Sequence, residues 1–171
     1  LDIAFELIDD GSDLLATGEM GIGNTTAAAA IICMLTDTPA QQGVGRGTGI
    51  DDATFARKVA VVNLAIDRVR LTDADPEDPW VVLSELGGFE IAALAGFVIG
   101  GASRSVPVVL DGVNTLAAAM IADRLDQNLR HHLIAGHRST EPAASLALDH
   151  LDIDPILELD LRLGEGTGAA M

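Results

Sequence analysis

Two glutamates in this sequence stand among glycines. Glu19 lies in Gly18-Glu19-Met20-Gly21-Ile22-Gly23-Asn24-Thr25-Thr26, and Glu165 in Leu163-Gly164-Glu165-Gly166-Thr167-Gly168. A carboxylate on a glycine turn is badly placed for packing and well placed for a ligand. Glycine lets a substrate ring lie close to the chain, and a carboxylate can take a proton as a general base. Two more loops, Gly45-Arg46-Gly47-Thr48-Gly49-Ile50-Asp51-Asp52 and Gly136-His137-Arg138-Ser139-Thr140-Glu141-Pro142, bring cations and a hydroxyl. Where such loops feed helix N-termini, free amides face an anion. Four of them in 171 residues read as the rim of one nucleotide-sized site.

Each motif also has a plain structural explanation. Residues 18–26 can be a tight turn with a helix cap, and 45–52 a solvent loop with another. Lys58, alone on a helix, reads as a surface solubiliser. Ser139 or Thr140 can cap a helix, with Glu141 near its N-terminus. Val108-Val109-Leu110-Asp111-Gly112 loosely resembles the acidic loop of the diphosphate-dependent phosphoribosyltransferases, but lacks the adjacent second acid and the Thr-Gly turn. A strand ending in a helix-capping Asp111 explains it as well. The first loop is not a P-loop, because no lysine follows at the required spacing. His131 and His132 have no acid or cysteine at metal-ligand spacing.

The elements that position these residues follow from hydrophobic periodicity. Strands are expected at 14–17, 106–110 and 129–135. Helices are expected at 25–35, from the caps Asp51 and Asp52 onward, at 89–102, at 115–125, and from Pro142 to about His150. Asn24 or Thr25 caps the first of these, and Phe55, Val59, Val62, Ile66 and Val69 form the apolar stripe of the second. Residues 81–86 fit helix or strand equally, and 155–163 are the least defined. Strand, loop and helix repeat in that order. This predicts a single α/β domain with a parallel, Rossmann-like sheet flanked by helices, and a ligand at the carboxyl ends of the strands.

Composition narrows the partners. The net charge is −16, with 26 acidic residues against 10 basic ones, which repels nucleic acid and anionic lipid. Aromatic residues are only 3%, too few for base-stacking platforms. The longest apolar run, 91–102, is too short to cross a membrane. The one cysteine, Cys33, sits in an apolar run and permits no disulfide within the chain, as suits a reducing, cytoplasmic compartment. The chain begins at Leu1 and stops at Met171 just after a glycine motif. A fragment of a longer chain is therefore expected.

Taken together, the motifs resemble the nicotinate-nucleotide–dimethylbenzimidazole phosphoribosyltransferase family. Residues 18–26, 45–49 and 163–168 match its pattern, as do Gly87-Gly88-Phe89-Glu90-Ile91-Ala92-Ala93 and Ser139 before Glu141-Pro142. The resemblance runs from about Asp13 to the end and covers about the second half of a family member. It implies a Rossmann-like fold, a homodimer, and transfer of the phosphoribosyl group of nicotinate mononucleotide to 5,6-dimethylbenzimidazole. It implies Glu165 as general base and Glu19 as a second active-site carboxylate. It implies Lys58 and Ser139 at the phosphate, and Gly21, Gly23, Asn24, Gly47, Gly49, Gly164 and Gly166 against the substrates. No metal and no cofactor is implied, because the leaving pyridine departs neutral at nitrogen. The alternatives are a non-catalytic mononucleotide-binding domain and a metal-dependent enzyme using Asp111.

Overall fold

A computed structural model of the protein describes residues 1–47 and 49–171; Thr48, in the second glycine loop, lies outside them. Four short strands, β1 (Leu15–Ala16), β2 (Val108–Leu110), β3 (Leu133–His137) and β4 (Pro155–Leu157), form a parallel sheet in the order β1-β2-β3-β4. Val109 pairs with Ala16 on one side and Ile134 on the other, and His137 pairs with Leu157. Parallel strands need long crossovers, and the helices supply them. Between β1 and β2 run α2 (Asn24–Leu35), α3 (Ala40–Gly43), α4 (Asp52–Arg70), α5 (Pro79–Leu86) and α6 (Phe89–Ser103). Helix α7 (Val113–Leu125) joins β2 to β3, and α8 (Pro142–Leu151) joins β3 to β4. This is the parallel α/β architecture that the strand-loop-helix order predicts. A further helix, α1 (Asp2–Asp9), precedes β1 and packs against α6; the sequence reading assigned nothing there.

The core is built around α7, which packs against α2, α5, α6 and α8. Every residue from Thr115 to Asp123 is buried. Ala117, Ala118, Ala119 and Ala122 let neighbouring helices approach, while Leu116, Met120 and Ile121 fill the space between them. Strand β2 is buried at all three positions, as a parallel strand covered by helices should be. Among the described residues no helix is long and apolar enough to cross a membrane.

Several local expectations are corrected. Residues 127–132 form a 3-10 turn, so β3 starts only at Leu133 and ends at His137 rather than spanning 129–135. Hydrogen bonding explains the change. Asp126 accepts the Asn128 amide at 3.0 Å, and Arg130 turns back onto Asp123, with Nη2 donating to Oδ2 at 2.7 Å. Asp123 is fully buried and needs that partner. Residues 81–86 are helical in α5, which opens with Pro79 and an Asp78 side chain that accepts from Trp80 N at 2.8 Å. Helix α4 is capped by Asp51 as expected, through Thr54 N at 2.8 Å. The caps of α2 and α8 differ: they are Gly23 and Glu141, neither with a side-chain cap bond, in place of Asn24 or Thr25 and of Ser139 or Thr140. Residues 155–163 give only the short β4 and then irregular chain.

Met120 is completely buried at the helix junction. Met120→Ala should lower the unfolding free energy by about 2–5 kcal/mol, read as a lower urea midpoint at unchanged slope.

Candidate functional site

The loops that leave the carboxyl ends of the strands surround a cleft of about 640 Å³. Glu19, Lys58, Asp111, Ser139, Glu141 and Glu165 all line it. The position is the one that parallel-sheet topology favours for ligands.

The two glutamate loops are joined main chain to main chain. Glu165 N donates to Glu19 O at 3.2 Å. Gly18 lies so close to the other loop that a Cβ on it would sit 2.6 Å from both Cα and N of Gly166, so only glycine allows the approach. Glu165 itself has φ +59°, a conformation that is costly away from glycine and is kept where surrounding structure imposes it. The Glu19 carboxylate accepts from Asn114 Nδ2 at 2.5 Å. Beside them the exposed apolar side chains of Met20, Ile22 and Leu163 also border the cleft.

Asp111 is not the helix cap that the sequence suggested, since α7 is capped by Gly112. Its carboxylate accepts from Gly166 N at 3.0 Å and from Gly168 N at 2.7 Å. It is 3% exposed, and His137 Nε2 lies 3.4 Å from its Oδ1.

The rest of the cleft favours an anion. Helix α2 starts after Gly23, whose φ of +82° turns the chain sharply into the helix, and no side chain caps its first amides. Those amides and the helix dipole attract negative charge. Lys58 stands beside this terminus, its Nζ donating to Thr25 Oγ1 at 3.0 Å and Gly45 O at 3.1 Å. With its side chain only 10% exposed it is no surface solubiliser. Burial pushes its ammonium below the ordinary lysine range, and Glu141, 3.8 Å away, opposes that shift. Arg46, Arg57 and Arg162 border the same cleft. Four of the chain's 10 basic residues thus serve one concavity.

Glu141 organises this region. Besides Lys58 it accepts from Gly47 N at 2.6 Å, and its carboxylate fills the space a side chain on Gly45 would need. Ser139 is buried next to it and accepts from Glu141 N at 3.4 Å.

Of the eleven residues singled out from the sequence, Glu19, Gly21, Gly23, Asn24, Gly47, Lys58, Ser139, Gly164 and Glu165 line the cleft. Gly49 and Gly166 are not among its lining residues. Gly166 lies behind the glutamates, where it borders a second, more open hollow. Sequence reasoning missed Asn114, gave Asp111 a role only in the metal-dependent alternative, and gave His137 and Glu141 no individual site role. The signals were present: an acid ending a buried strand, an Asn three residues on, and a His and an acid flanking Ser139. Buried polar atoms without a partner gather here too, at Asn24 Nδ2, Asn114 Oδ1 and both ring nitrogens of His137. Such atoms in a cleft are the ones a ligand can satisfy. Among the described residues, no three His, Cys, Asp or Glu side chains converge as metal ligands would.

A phosphoribosyltransferase family model matches residues 1–171. The chain is 52% identical over 168 residues to the nicotinate-nucleotide–dimethylbenzimidazole phosphoribosyltransferase of Chloroflexus aggregans, a match that takes in 98% of this chain and 47% of that protein. It is also 52% identical to the protein of the same name from Mycobacterium avium, over 99% of this chain and 48% of that one. The crystal structure of CobT from Thermus thermophilus superposes with a TM-score of 0.92 at 44% identity, covering 98% of this chain and 49% of that one. The chain therefore spans about half the length of the relatives it matches.

Glu141→Ala removes the partner of Lys58 and of the Gly47 amide. It should cost about 1–3 kcal/mol of stability, seen in chemical denaturation, and speed amide exchange around Gly47. Unchanged exchange there would show that Glu141 does not hold the loop.

Proposed function

Because the chain belongs to the nicotinate-nucleotide–dimethylbenzimidazole phosphoribosyltransferase family, we propose that it is the catalytic domain of such an enzyme, moving the 5-phosphoribosyl group of nicotinate mononucleotide to 5,6-dimethylbenzimidazole. The products are α-ribazole 5′-phosphate and nicotinate. The observation that carries the reading is one cleft with two characters. Two glutamates stand on joined loops with apolar side chains beside them, and a largely buried lysine ammonium stands at a helix N-terminus.

In this reading the 5′-phosphate lies at the start of α2, near Lys58 and Ser139. The amides supply directional donors and Lys58 the charge, in a chain that otherwise repels anions. The benzimidazole lies against Met20, Ile22 and Leu163, near Glu165. One ring nitrogen attacks C1′ from the face opposite the nicotinate, forming the new C–N bond as the old one breaks. The bonding pair leaves with the pyridine nitrogen, which becomes neutral. Glu165 takes the N–H proton from the other ring nitrogen, so charge does not build up on the product. Glu19, oriented by Asn114, faces the positive charge that develops during transfer. Glycine-rich walls let both rings approach the carboxylates.

The metal-dependent alternative would turn Asp111 to a ligand, whereas both of its oxygens accept backbone amides of the Glu165 loop. The non-catalytic alternative draws no support from relatives that are named as transferases. The same reading gives a cytoplasmic homodimer.

The test is an assay in chelator-treated buffer with nicotinate mononucleotide and 5,6-dimethylbenzimidazole, following α-ribazole phosphate by chromatography. A strict magnesium requirement would count against the mechanism. Glu165→Gln should retain nucleotide binding and lose about 10²–10⁴-fold in turnover; undiminished turnover would remove Glu165 from the mechanism. Lys58→Ala should weaken mononucleotide binding by about 10–100-fold and leave benzimidazole binding nearly intact in calorimetric titrations. Equal losses for both ligands would contradict a phosphate contact.

A further inference from the structure

We propose that Asp111 is the positioning residue of the Glu165 loop, acting through that loop's backbone and not on a substrate or a metal. Its effect on turnover rests on the transferase reading; its effect on the loop does not.

Residues 158–171 contain neither helix nor strand. Their internal hydrogen bonds include Thr167 N to Gly164 O and Ala170 N to Gly166 O, both at 3.0 Å. The remaining amides must find partners elsewhere, and one side chain supplies two of them. Asp111 Oδ2 accepts from Gly166 N and Oδ1 from Gly168 N, across 55 and 57 residues of chain. These amides belong to the first and third residues after Glu165. On the other side, Glu165 N is held by Glu19 O. The left-handed backbone of Glu165 is thus pinned from both directions.

A carboxylate suits this task. Both of its oxygens accept and neither donates, and an ionised acceptor makes the stronger bond to an amide. Asparagine at the same place would turn an NH₂ group toward one of the two amides. His137 completes the seat. Its imidazole occupies the space a side chain on Gly168 would need, which confines the trailing end of the loop. Asp111 is carried by the end of β2, the most buried strand, so the loop is referenced to the rigid sheet.

Asp111→Asn is the test, read three ways. Turnover should fall by about 10²-fold, the effect of displacing a reacting group by roughly 1 Å, with KM for nicotinate mononucleotide unchanged. Glu165→Gln and the Glu165→Gln/Asp111→Asn double variant should turn over equally, since nothing remains to be positioned. Amide exchange should quicken at residues 164–168 while the sheet keeps its protection. Losses that multiply in the double variant, or exchange that quickens throughout the sheet, would overturn the proposal in favour of a merely structural role. Should Asp111→Asn fail to fold, Asp111→Glu keeps the charge but displaces the oxygens, and the same three outcomes apply. If the protein turns over no nicotinate mononucleotide, the transferase reading fails and exchange alone decides: quickening confined to 164–168 sustains the clasp, and unchanged exchange ends it.

Discussion

The contact between the main chains at Gly18 and Gly166 determines what the cleft can be. Two loops from distant parts of the sequence approach until no side chain fits between them, and a hydrogen bond from Glu165 N to Glu19 O holds them at that distance. Both glutamates therefore stand on one joined pair of loops. Were either loop a few ångströms away, the chain would have two exposed acidic turns and no site. The second loop lies in a stretch without regular structure, and its amides are satisfied by the buried end of β2. The obligation to pair backbone polar groups is thus what ties the Glu165 loop to the sheet.

Charge presents a separate constraint. A chain of net charge −16 must hold a phosphate ester if the proposed reaction is right. In that reading it would do so by concentration. Lys58 is taken out of solvent, the α2 terminus is left uncapped by side chains, and three arginines border the same concavity. Removing water strengthens an ammonium's attraction for an anion but makes the charged form costlier to keep. Glu141 offsets that cost while it also accepts the Gly47 amide and packs against Gly45.

Hydrophobic periodicity made most elements legible. Helix α4 shows it clearly: its stripe Val59, Val62, Ile66 and Val69 is buried, and Asp51 caps it. The failures have local causes. The 3-10 turn at 127–132 carries Leu129 and basic residues that run into the apolar start of β3, and an ion pair from Arg130 to the buried Asp123 sets its shape. Residues 81–86 are too few for their period to be told. The caps of α2 and α8 could not be read from residue type, because the preferred capping side chains beside them make other contacts: Thr25 receives Lys58, and Ser139 receives the Glu141 amide.

The sequence by itself determined the parallel α/β class, the glycine loops and the two glutamates among them. Those are properties of short windows, where spacing and residue type suffice. Tertiary structure alone decided that the glutamate loops touch, that Lys58 is buried beside the α2 terminus, and that Asp111 serves the end of the chain and not its own helix. Each of those is a pairing across tens of residues. Such pairings arise because the sheet brings strand ends together and buried polar groups must then find partners, which no local pattern encodes.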